Sequence, residues 1–190
     1  MNRLADKKIS ESTWAAGCKI MACFVGVASA VIMPQLFHFV GQLFSLGSLP
    51  GEVYLPMHLP VILVGLIAGP FAGLVVGIVS PAVSFEMSGM PSAVMLPVMC
   101  FELAGYGLAS GLLSGIKINS LLKIIIAQFS GRLVRAVYIL ASVYIFGSGA
   151  LNIGMILGSI VKGFPGIVIQ WLVLPLLCRI KGEFVFKYDE

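Results

Sequence analysis

The chain has 190 residues, 59% of them hydrophobic and 11% charged, with a formal net charge of +4 and a mean hydropathy of +1.05. Soluble domains carry about 25% charged residues, so this composition excludes a soluble globular domain and marks an all-α integral membrane protein. At ~20 residues per crossing, the length holds about six helices in one membrane domain, residues 1–190, with no length left for a soluble ATPase domain.

Residues 1–13 (MNRLADKKISEST) read as a mixed-charge cytoplasmic lead. The apolar run after them has no A-x-A-like cleavage site, so the first span, predicted over 14–33, is expected to be retained. It carries small residues four apart, Ala22, Gly26 and Ala30. That spacing lets another helix approach closely, either within the bundle or as a docking stripe for a separate subunit. Residues 34–55 form the longest predicted non-spanning stretch, semi-apolar and broken by Gly41, Gly47, Pro50 and Gly51. Such a stretch either lies in the headgroups or covers a site as a lid.

Gly69-Pro70 divides the next apolar run into two short spans, 56–69 and 70–85, with Gly65, Gly69, Gly73 and Gly77 recurring every four residues. Short and broken spans are where membrane transporters place binding sites. The fourth span is predicted over 93–113, the fifth over 124–146 and the sixth over 152–177, followed by a cytoplasmic tail, 178–190. Loop lysines and arginines cluster in the lead, the 115–123 turn and the tail, whereas the 34–55, 86–92 and 147–151 loops have none. The positive-inside rule then places both termini in the cytoplasm of a compact six-helix bundle.

Four charges fall inside predicted spans: Glu102, Arg132, Arg135 and Lys162. A cation at the bilayer centre costs roughly 2.5–3.5 kcal/mol on insertion scales, so each must face protein or water and find a partner. At ~1.5 Å per residue all four reach mid-depth or the outer half of the bilayer, where they can meet. Pairing Glu102 with Arg132 leaves Arg135 and Lys162 as a surplus of two cations. A planar guanidinium suits a carboxylate, so the surplus points to an anionic ligand. His58, Asn152, Gln170 and Gln128 are further candidate donors, and Tyr106 and Trp171 can stack on a ring. His38 is the weaker of the two histidines.

The cysteines, Cys18, Cys23, Cys100 and Cys178, show no CxxC spacing and read as small apolar residues, so no metal site or disulfide is expected. Nor is an enzyme. Gly147-Ser148-Gly149 has no histidine nearby in sequence, and there is no HExxH or carboxylate cluster.

LPVILVGLIAGPFAGLVVGIVSP, SGMPS, FELAGYGLASGLL and SGRLV together resemble the substrate-binding S components of energy-coupling factor (ECF) vitamin transporters. The resemblance covers about residues 14–180. Gly69, Pro70, Gly73 and Gly77 carry one part of the pattern, and FELAGYG with GRL the rest. It implies a six-helix subunit of a bacterial cell membrane that captures a vitamin from outside and hydrolyses no ATP. It also implies partners: a transmembrane coupling subunit docked on the first helix, and a pair of ABC ATPases. Ala22, Gly26 and Ala30 match the family's docking stripe in type, residues 34–55 match its lid, and spans four to six match its ligand-binding region. The charge surplus favours an anionic vitamin, with pantothenate first. The alternatives are a neutral heteroaromatic micronutrient such as a thiamine precursor, or a stand-alone permease, and folate-like, nicotinate-like and queuosine-related ligands stay open. No cofactor is expected.

Overall fold

A computed structural model of the chain describes residues 2–47, 49–147 and 149–186, with side-chain surroundings described between 16 and 179. Ser148 and residues 187–190 of the tail lie outside the described residues. All the secondary structure described is helical: α1 (Asn2–Leu43), α2 (Leu49–Tyr54), α3 (His58–Ala68), α4 (Pro70–Ser88), α5 (Met95–Leu113), α6 (Ser120–Tyr144) and α7 (Gly154–Phe186). Taking α2 and α3 as one span, six are long and apolar enough to cross a membrane. The protein is a multi-pass membrane protein built as a six-helix bundle.

The first span differs from its sequence-based extent of 14–33. Helix α1 carries Pro34 in its interior and continues to Leu43. Residues 36, 39, 40 and 43 are the reason: Leu36, Phe39, Val40 and Leu43 are exposed, whereas Pro34 and Gly41 are buried. That is a helical period with its apolar face turned to lipid. The connection to α3 is correspondingly short. Its described parts are a turn at 44–47, the six-residue α2, and Leu55 at φ 49°.

Helix α3 is the buried centre, with Val61 and Ile62 fully inaccessible, and it packs against α1, α4, α5 and α7. Its joint with α4 is Gly69 at φ 97°, a backbone region that side chains rarely enter, followed by Pro70 at the first helical position. Close approach of α3 and α4 to α5 depends on missing side chains. A Cβ on Gly65 would meet Ser110 and the Gly107 carbonyl, and one on Gly107 would meet the backbone of Gly73. Gly77 lies in the same way against Leu103. The four-residue glycine spacing thus marks a helix-on-helix seam.

The Ala22–Gly26–Ala30 stripe also faces inward, against its expected docking role. Ala30 is fully buried, Ala22 packs on the core, and a Cβ on Gly26 would strike Val64 and Val76. The lipid-facing side of α1 is instead bulky: Ile20, Met21, Phe24 and Val25 are exposed. Small residues let α1 lie close over α3 and α4, so internal packing uses the stripe.

Candidate functional site

One face of α5 carries Met95, Met99, Glu102 and Tyr106, spaced four, three and four apart. Glu102 is buried, with its side chain 1% exposed. Arg132 and Arg135, three apart on α6, both reach it. Arg135 Nη1 donates to Glu102 Oε2 at 2.6 Å, and Arg132 Nη1 lies 3.1 Å from Oε1. The Tyr106 hydroxyl also donates to Oε1, at 3.2 Å. The Tyr106 ring lies over Gly131, which lets α6 come this close, and meets His58 edge-on at 5.0 Å. His58 opens α3 and holds Nε2 3.8 Å from Glu102 Oε1. Arg132 Nη1 donates further to the Ser159 hydroxyl of α7 at 3.1 Å. Polar side chains from α3, α5, α6 and α7 therefore gather around one carboxylate.

A cavity of about 670 Å³ opens above this cluster, bounded by α1, α4, α5, the middle of α6, α7, α2 and the α2–α3 connection. Glu102, Arg132, Arg135 and His58 line its base, and Asn152, Ser159 and Lys162 line the α7 side. Arg132 Nε and Nη2, Arg135 Nε and both His58 ring nitrogens are buried without a hydrogen-bond partner among the described residues. Buried donors without acceptors are costly, and a bound acceptor group would satisfy them. Counting His58 as neutral, one carboxylate against two guanidiniums leaves a single positive charge at the base.

The structure corrects the expected pairing in two respects. Glu102 bonds both arginines, and Arg135, assigned to the ligand from sequence, makes the shorter contact. Lys162 is not a free cation: its Nζ donates to Glu52 Oε2 at 3.1 Å at the exposed rim. The acid comes from α2, in the stretch read from sequence as a loop, so the surplus falls from two charges to one.

Tyr106, Gln170 and Trp171 are not cavity residues. Tyr106 sits beneath the charges, where its ring supports α6 and its hydroxyl holds Glu102. Gln170 and Trp171 belong to a separate network between α6 and α7. There Gln128 Nε2 donates to Gln170 Oε1 at 2.9 Å, and Trp171 Nε1 donates to Gln128 Oε1 at 2.6 Å. Gln170 Nε2 continues to the Leu55 carbonyl at 3.3 Å and so ties the connection after α2 to α7.

Sequence reasoning passed over Glu52, Ser84, Ser159 and the cavity methionines, and it ranked His38 low although His38 lines the cavity beside Gly51. Helical spacing from Glu102 pointed to Met95 and Met99. Glu52 and Ser84 had no such signal.

Comparison with known protein families, with characterised proteins and with solved structures finds no match for this chain. Fold and site define its class: a six-helix membrane protein with a partly roofed cavity based on a buried carboxylate and two arginines.

Proposed function

We propose that this protein is the substrate-capture subunit of an ECF-type ABC importer, binding a small anionic vitamin from outside. In this reading it is a multi-pass protein of a bacterial cell membrane. It passes its ligand to a transmembrane coupling subunit driven by two ABC ATPases. The resemblance of the GPFAGLVVG, FELAGYG and SGRLV segments to S components supports the assembly. The observation that carries ligand capture is the base of the cavity, with one surplus positive charge and buried guanidinium N–H groups that lack acceptors. A carboxylate is the acceptor that a planar guanidinium matches best. On charge and sequence resemblance alone, pantothenate is the first candidate vitamin.

Orientation supports the same reading. The connections at the cavity end, 44–57, 89–94 and 145–153, contain no lysine or arginine, whereas the opposite end has Lys117 in its turn and Lys123 on the first turn of α6. The positive-inside rule then turns the cavity outward. The surface that meets the coupling subunit lies away from Gly26 and Ala30, which the bundle itself covers.

Native mass spectrometry of the detergent-purified protein, with identification of any small molecule released on denaturation, tests the proposal. The expected result is a near-stoichiometric acidic vitamin, together with an ATPase pair on mild co-purification. A neutral heterocycle would make the arginines structural. Absence of any ligand after incubation with a vitamin mixture, with no ATPase retained, would overturn the capture role in favour of a weakly binding permease.

A further inference from the structure

Five of the chain's nine methionines line the cavity: Met57, Met90, Met95, Met99 and Met155. They come from the start of α3, the α4–α5 connection, α5 and α7, so folding gathers them from separated parts of the chain. Lining a site with so many thioethers is unlike lining it with leucine. Methionine is unbranched and polarisable, and its sulfur makes favourable contacts with the edges of aromatic rings. On α5 the two features share one face. Met99 and Met95 precede Glu102 by three and seven residues, which at ~1.5 Å per residue is about 5 and 10 Å along the axis. A ring whose carboxylate is held by Arg132 and Arg135 would therefore reach the Met99 thioether, and Met95 lies one further turn beyond it.

The methionine part of the wall is poorly suited to a hydroxylated chain, whose hydroxyls would have to turn to Ser92, Asn152 or His38. Thioether sulfur is a weak acceptor and no donor. Two cavity hydroxyls are already engaged: Ser84 Oγ accepts from Gln35 Nε2 at 3.4 Å, and Ser159 Oγ accepts from Arg132 and donates to the Ile156 carbonyl at 2.9 Å.

We propose that the ligand is an aromatic or heteroaromatic monocarboxylate, its carboxylate on Arg132 and Arg135 and its ring against Met99. This rests on the reading of the cavity as an anion-capture site and sharpens it, ranking a ring acid above an aliphatic hydroxy acid such as pantothenate.

The test is a competition and thermal-shift series on the full-length detergent-purified protein with four probes. Nicotinate is a ring acid and nicotinamide its neutral counterpart. Cyclohexanecarboxylate is a saturated acid of similar size, and pantothenate an aliphatic hydroxy acid. Nicotinate is expected to bind at least about tenfold tighter than cyclohexanecarboxylate and pantothenate, with nicotinamide failing to compete. Replacing Met95→Leu and Met99→Leu together keeps volume nearly constant and should shrink the nicotinate-to-cyclohexanecarboxylate ratio about fivefold. Equal binding of the two ring-sized acids, tighter binding of pantothenate, or an unchanged ratio in the double variant would overturn the inference and leave anion capture standing. Failure of every acid to bind, or nicotinamide matching nicotinate, would overturn the anion reading and the inference together. The four-probe series on the unaltered protein decides the question even if the double variant fails to fold.

Discussion

Glu102 divides its bonds unequally, and that division predicts how the two arginines differ. Its Oε1 has two partners, Arg132 and the Tyr106 hydroxyl, whereas Oε2 bonds Arg135. Arg135→Ala should therefore strand Oε2 in the interior. Removing one partner of a buried pair costs about 3–5 kcal/mol, and the surviving arginine should keep the loss near about 3 kcal/mol. Arg132→Ala leaves each oxygen with a partner and should lower the unfolding temperature less. Thermal unfolding of both ligand-free variants in detergent checks the order, and equal losses would contradict it. Both substitutions should weaken capture of an acid, since both arginines line the base of the cavity. That charges meet here was legible from sequence, because depth along a span follows from residue count. Which charges pair was not. Pairing depends on rotation about each helix axis and on side-chain reach, and residue count constrains neither.

At the scale of elements, the bundle relies on helices that touch backbone to backbone. Gly107→Val should force α4 off α5, because its Cβ would enter the backbone of Gly73. Overpacking against side chains costs about 1–3 kcal/mol, and a rigid backbone should take the cost to the top of that range or above it. Gly17→Ala, with open space around its Cβ inside α1, should leave the unfolding temperature unchanged or raise it slightly in the same assay. A second prediction concerns α2. Gln170 holds the Leu55 carbonyl, and Leu55 has a positive φ that a bulky residue adopts only under constraint. Gln170→Leu should free this end of α2 and raise the ligand off-rate several-fold, which stopped-flow displacement would read.

The short spans at Gly69-Pro70 were legible because a Gly-Pro step interrupts a helix. The run of α1 through Pro34 was not. A proline stops most helices in water, but in lipid the backbone has no solvent to turn to, and the helix continues around it. The α2 helix, at six residues, has no apolar period long enough to recognise.

At the scale of the whole molecule, an even number of crossings returns the chain to its starting side, and loop charge chooses that side. Ser92→Cys should react with a membrane-impermeant maleimide on intact cells, and Lys117→Cys only after permeabilisation. The four native cysteines would be replaced first. The reverse pattern would turn the cavity to the cytoplasm and remove capture from outside.

The base of the cavity has a thermodynamic consequence of its own. With one positive charge in excess, the resting protein is expected to exchange counter-ions: a halide drawn from the medium should occupy the arginines until an organic acid displaces it. An affinity measured in chloride buffer is then a competition constant. It should tighten when chloride is replaced by a sulfonate too bulky for the cavity, at unchanged ionic strength. The same halide should raise the unfolding temperature of the empty protein in proportion to the logarithm of its concentration above saturation.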